Sequence, residues 1–199
     1  MLAQARWLFC TDRRLQNDAM AIQAALLEPH IPGLRRFARA LVHGDRERAD
    51  DLVQDTLERA LSRWHMLRTK ESLRGWLYTI LYNRFLSDRQ REQRRGGYDG
   101  LAEIGDGWPS AIDGGQNAAL EHRDLLRGFA SLPEKQRAVL LLIGVEDLSY
   151  AEAARVLGVP VGTVMSRLSR GRERLRRLMD GDPAEPVRCT VGAGARTVK

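Results

Sequence analysis

The sequence predicts an all-α protein: two small helical domains joined by a flexible acidic linker, the second domain containing a helix-turn-helix. Three observations carry this. Apolar residues recur at helical spacing through both halves of the 199-residue chain, and nothing alternates with period two for long. Between Gly96 and Glu121 the chain holds seven glycines, five acidic residues and no basic one, an abrupt change of composition on both sides. From Ser149 to Leu178 a short, small-residue segment runs through a glycine into a helix rich in arginine.

Taken in order, residues 1–18 form an N-terminal extension expected to be disordered, although Trp7, Leu8 and Phe9 could support a short extra helix. The first domain is placed at 19–95. Ile22, Leu26, Leu34, Phe37 and Leu41 keep helical spacing, with Pro29 and Pro32 marking a break or kink. Ala49, Leu52, Val53, Leu57, Ala60, Leu61 and Trp64 make the stripe of a second helix, whose acidic start at Asp50 and Asp51 suits the helix dipole. A third helix begins at Ser72, an N-cap candidate, carries Leu73, Trp76, Leu77, Ile80, Leu81 and Phe85, and ends in a basic run. Tyr78 and Tyr82 lie four residues apart and share another face of it.

The linker is placed at 96–117. A structureless stretch of that length is uncommon inside a compact domain, so it marks a boundary. The second domain, 118–180, opens with a helix near Ala118. A buried helix follows, with Pro133 at its first position. Next comes a short helix closed by Gly158, where a left-handed residue is needed, and then the basic helix. Ala151 and Ala154 have little bulk and allow a steep, close crossing, with Val156, Leu157, Val164 and Leu168 filling the interface. The tail, 181–199, lacks apolar periodicity and is expected to be disordered.

Composition bounds the function. The formal net charge is +6, which suits a polyanionic partner. Cys10 and Cys189 sit near opposite ends, and His30, His43, His65 and His122 form no ligand spacing with them, so neither a disulfide framework nor a metal site is expected. There is no apolar run of membrane-spanning length and no signal-peptide pattern, which fits a soluble cytoplasmic protein. No phosphate loop or nucleophile–base arrangement suggests an enzyme, and no cofactor is expected.

Charge is concentrated where contact with DNA would need it. Six arginines against the single acid Glu173 give Gly162–Met179 a net +5. In a helix-turn-helix the front half of the second helix enters the major groove, and here that half presents Thr163, Ser166, Arg167 and Arg170, with Arg174 further along. Arginine reads guanine bidentately or clamps phosphate, and Thr and Ser offer short hydrogen bonds. A second basic segment, Leu73–Arg95, has six arginines and two acids interleaved with Trp76, Tyr78, Tyr82 and Phe85. Aromatics beside arginines can stack unpaired bases. Packing is the better account of Trp76 and Phe85; for Tyr82 and Asn83 packing and base contact weigh equally.

The stretches DDLVQDTLERAL, LRGWLYTILYNRFLSDRQR, LPEKQRAVLLL and SYAEAARVLGVPVGTVMSRLSRGRERL occur in an order and separation that resembles the extracytoplasmic-function (ECF) group of bacterial RNA polymerase sigma factors, over roughly Ala19 to Met179. The resemblance implies an alternative sigma factor that binds core RNA polymerase and directs promoter-specific initiation. It implies that Asp51, Leu52, Gln54, Asp55 and Glu58 grip the β′ clamp helices, with further contacts to the β subunit. Thr163, Ser166, Arg167, Arg170 and Arg174 would then read the −35 promoter duplex. Tyr82, Asn83, Arg84, Asp88 and Arg89 would serve the −10 element, and the HMLRTKES loop would hold a flipped base of its non-template strand. Tyr82 stands where arginine is commoner in that pattern. An anti-sigma factor is a further implied partner.

Two other classes compete. A stand-alone helix-turn-helix regulator would explain the last helix but not the second basic segment. A decoy that sequesters an anti-sigma factor would need a receiver domain, which the sequence does not offer. Distance bears on the sigma reading. Promoter elements about one and a half turns apart are separated by roughly 50 Å. A relaxed coil of the 26 residues from Gly96 to Glu121 spans about 28 Å and a fully extended one about 85 Å. A bound linker is therefore expected to be partly stretched.

Overall fold

A computed structural model describes residues 20–67, 73–95, 125 and 128–180. The extension, the Ser72 cap, most of the HMLRTKES loop, the acidic linker, the helix start near Ala118 and the tail lie outside them. Among the described residues the secondary structure is helical throughout, as the periodicity predicts.

Residues 20–27 are helical and pass through a 3₁₀ turn, Glu28–His30, into α1 (Ile31–Leu41). Pro29 and Pro32 are the second residues of the two segments, within the first turn, where a missing N–H leaves no bond unmade. Helix α2 (Arg46–Ser62) is capped by Asp45, whose side chain accepts from the Arg48 N–H at 3.1 Å. Asp50 and Asp51 therefore lie in its second turn rather than at its start. Helix α3 (Leu73–Arg94) completes the first unit, with Leu34, Phe37, Leu41, Leu52, Val53, Leu77 and Leu81 in its core.

The second unit contains α4 (Glu134–Gly144), α5 (Tyr150–Leu157) and α6 (Val161–Met179). Pro133 is the cap of α4 rather than its first residue, and its carbonyl accepts from the N–H groups of Gln136 and Arg137. Helix α5 opens with a reciprocal capping box: Glu152 N–H donates to Ser149 Oγ, and the Ser149 N–H donates to the Glu152 carboxylate at 2.9 Å. Gly158 closes α5 in the left-handed conformation, φ 63°. Ala153 and Ala154 are buried while Ala151 is exposed, so the small-residue contact lies one position further round α5 than the sequence suggests.

The two units pack into one continuous hydrophobic cluster that runs from Leu27 to Leu168. Helix α3 lies between them, touching α2 on one side and α5 on the other. This explains why Tyr78 and Tyr82 are buried, at 2% and 4% exposure, while Trp76 and Phe85 are only partly covered. The Tyr78 ring stands edge-on to Phe37 of its own unit, centroids 5.4 Å apart, and its hydroxyl reaches Glu146 of the second.

Candidate nucleic-acid interface

Helix α6 owes its placement to three contacts. Val164 and Leu168 are buried beneath α5, and Gly171 lies against α4, where a Cβ would come within 2.9 Å of Leu140 Cδ1. These anchors turn another stripe of α6 outward. Ser166 and Arg170 are exposed on it, and Thr163, Arg167 and Arg174 are partly covered. Ser166 Oγ donates to the Thr163 carbonyl at 3.0 Å, which orients the hydroxyl without spending its acceptor lone pairs. Further along, Glu173 pairs with Arg176 and Arg177, and the Arg177 hydrogen bond holds its carboxyl below the ordinary glutamate range. On the opposite side of α6 an open groove of about 380 Å³ is bordered by Tyr150, Met165, Arg172 and Arg176.

The five residues of the second DNA-facing set are brought onto one stretch of α3, in different settings. Asn83 is exposed. Tyr82 is buried beside Phe85, with ring centroids 6.4 Å apart. Burial pushes its phenol above the usual value, and the charges of Arg167 and Arg89 act in the opposite sense. Arg84 Nε lies 2.7 Å from Asp55 and 3.1 Å from Asp88, in ion-pair contact rather than aligned for a hydrogen bond. Arg89 pairs with Glu134 of the second unit.

On α2, Asp51, Gln54 and Glu58 form an exposed stripe, with Gln54 Nε2 donating to Glu58 at 3.1 Å. Asp55 is partly covered by its contact with Arg84, and Leu52 faces the core at 5% exposure.

Sequence reasoning missed the polar contacts between the units. The carboxylate of Glu146, at 3% exposure, accepts from Tyr78 Oη at 2.5 Å and from Arg36 Nε at 3.1 Å, and lies 3.5 Å from Arg74 Nη2. Arg74 also donates to the Glu146 carbonyl. Desolvation, reinforced by the hydrogen bond to Glu146, drives the Tyr78 hydroxyl far above the ordinary tyrosine range. A buried cation, Arg137, donates to the Ala130 carbonyl and sets its guanidinium 3.1 Å from each ring nitrogen of His43. Burial lowers its pKa to about 10. No local pattern announces these contacts, because the partners are 68 to 110 residues apart in sequence.

A helix-turn-helix with an arginine-rich second helix, docked on a helical unit with its own basic helix, has the make-up of a two-unit DNA-binding protein. Comparison with known proteins agrees. Residues 27–82 match the Sigma2 domain of PhyR, and residues 122–175 match Sigma-70 region 4. The chain is 37% identical over 171 residues to the ECF RNA polymerase sigma factor EcfG of Rhodopseudomonas palustris, covering 81% of this chain and 91% of that one. Among solved structures, the sigma factor RpoE in complex with the anti-sigma factor NepR, from Bartonella quintana, superposes with a TM-score of 0.63 at 35% identity, covering 79% and 96% of the two chains. CnrH in complex with the cytosolic domain of CnrY superposes with a TM-score of 0.56 at 27% identity, covering 82% and 91%. The chain belongs to the ECF RNA polymerase sigma factors, the proteins that direct transcription by RNA polymerase. Among the described residues no helix is long and apolar enough to cross a membrane.

Proposed function

We propose that the chain, acting in the cytoplasm, binds core RNA polymerase through the exposed α2 stripe and reads a two-part promoter with α6 and α3. The observation that carries this is the outward stripe of α6, where Ser166 and Arg170 stand exposed beside Arg167 and Arg174 behind a turn closed by Gly158. Inserted in the major groove, that stripe presents donors to base edges, while the remaining arginines meet phosphates. The net +5 of this helix makes binding strongly salt-dependent through counterion release.

The −10 element falls to α3. Asn83 is the side chain presented to solvent there. Arg84, held between Asp55 and Asp88, acts as a positioning residue that ties the strand-reading helix to the polymerase-gripping helix. Tyr82 supports that surface from beneath, and Arg89 joins it once released from Glu134. The functional units are residues 19–95 and 118–180, joined across 96–117. The chain performs no chemistry of its own; bond formation belongs to the polymerase. By likeness to the complexes with NepR and CnrY, an anti-sigma factor is a further partner.

Run-off transcription tests the reading. Purified chain and core polymerase should yield discrete transcripts from a subset of genomic fragments. Absence of any transcript dependent on the chain would overturn it.

A further inference from the structure

Helix α6 carries an apolar feature that the polar stripe beside it does not account for. Val161 and Met165, one turn apart at its front, are 39% and 49% exposed. Met165 borders the open groove along α6, and so does Tyr150 of α5, at 41% exposure. Single exposed apolar side chains are ordinary on a folded protein. Three gathered at the front of a helix whose stretch from Gly162 to Met179 carries a net +5 are not, because the solvated face of such a helix has no need of them.

The surroundings indicate what meets this face. Arg172 and Arg176 border the same groove further along α6, and Ser166 and Arg170 are exposed beside it, which suits a polyanion. Gly162 is also exposed, with nothing within 4 Å of the place its Cβ would take. The front of α6 is therefore low between its apolar and polar stripes and can sit deep in a groove. Phosphates and most base-edge groups offer charge and hydrogen bonds, which neither a thioether nor an isopropyl group can answer. The major groove displays one apolar substituent, the C5-methyl of thymine. Methionine suits it, being unbranched, polarisable and able to mould itself to a small convex group.

We infer that Met165 is a specificity-determining residue that packs on the C5-methyl of a thymine in the −35 element, with Val161 one turn back widening the apolar contact. The inference rests on the reading of the −35 duplex by α6 and adds the class of base that one position of that duplex must hold. Met165 directly precedes Ser166 and so lies about 100° round the helix from it. Polar and apolar readout thus stand side by side: Ser166 and Arg170 address hydrogen-bonding edges, and Met165 addresses the methyl. Arg172 and Arg176 hold the flanking phosphates. A cytosine in place of the thymine would leave the methionine with no apolar partner.

The test uses the full chain loaded on core polymerase and a promoter fragment recovered by run-off transcription. Each thymine of its −35 element, on either strand, is replaced singly by deoxyuridine, which deletes the methyl and leaves base pairing and hydrogen-bonding groups in place. Competition binding should show one uracil fragment held about fourfold more weakly than its parent, the worth of one buried methyl group. Met165→Ala should bind the two fragments equally, and Met165→Leu should restore the preference. The alanine variant keeps α6 intact, since the side chain is half exposed and alanine is the stronger helix former. Specific binding with no effect of any uracil would overturn the inference and leave promoter reading by α6 standing. A preference that survives in Met165→Ala would overturn the role of this residue. Loss of polymerase binding by Met165→Ala, with every uracil fragment held like its parent, would make the apolar face a protein-docking surface and overturn the inference. Binding indifferent to every base change in the −35 element would overturn the promoter reading itself, and this inference with it.

Discussion

Replacing Gly171 by alanine tests the approach of α6 to α4. Mid-helix, alanine is favoured over glycine by about 1 kcal/mol because less backbone entropy is lost on folding. The added methyl, however, would stand 2.9 Å from Leu140 Cδ1, 3.3 Å from Leu140 Cγ and 3.4 Å from Gln136 Cβ. Leu140 Cδ1 ends a side chain and can yield, but Gln136 Cβ is fixed to the backbone of α4. Overpacking of this kind costs about 1–3 kcal/mol. The clash therefore outweighs the propensity gain, and Gly171→Ala should lose about 1 kcal/mol. Gly75→Ala is the control: nothing lies within 4 Å of the added methyl, so it should gain about 0.5–1 kcal/mol. Urea denaturation followed by circular dichroism should separate the two variants by nearly 2 kcal/mol, on opposite sides of the parent. Equal stabilisation by both would show that α6 does not press on α4 as these distances require, and the orientation assigned to the reading helix would fall with it.

Ser149→Ala removes the side-chain half of the α5 capping box, leaving the backbone N–H of residue 149 on Glu152, and should cost about 1 kcal/mol at neutral pH by the same assay. The Ser149 hydrogen bonds, that of the side chain foremost, hold the Glu152 carboxyl below the ordinary glutamate range. Their contribution is therefore present above that range and lost as pH falls through the lower folded-state value, so the gap between variant and parent should narrow in acid. Arg167→Ala should weaken duplex binding at −35 by roughly 5- to 150-fold, as expected for a lost base contact of about 1–3 kcal/mol, and a pre-melted −10 bubble should not restore it. Asn83→Ala should instead spare −35 duplex binding and lower permanganate reactivity of the −10 bubble; equal, purely salt-scaled losses for both variants would refute separate readers.

The helix-turn-helix was legible because its determinants are local: a left-handed Gly158, and apolar residues at helical spacing across one short turn. The α2 residues Asp51, Gln54 and Glu58 came from the resemblance, and their three- and four-residue spacing accounts for the exposed stripe they form. Tyr78 and Tyr82 were harder. Their four-residue spacing shows that they share a face, but not that a second unit would cover it. Glu146 was invisible, lying in a loop whose short polar sequence looks like any solvated turn. A buried carboxylate is defined by what surrounds it, and Arg36, Arg74 and Tyr78 reach it only through the docking of the two units. Leu52 shows the opposite limit: likeness groups it with polymerase-facing residues, while its own helix turns it into the core.

The placement of Arg84 between Asp55 and Asp88 has an evolutionary consequence. One guanidinium neutralises two carboxylates drawn from helices with separate tasks. Were the arginine lost first, Asp88 would keep only Arg91, 3.8 Å away, and Asp55 would lose the contact that ties α2 to α3. Were either aspartate lost first, the arginine would swing toward the survivor and shift the other helix with it. Descendants of this chain can therefore change these positions only in concert. Under the proposed assignment of α2 to the polymerase and α3 to the promoter, the first surface thereby restrains drift in the second.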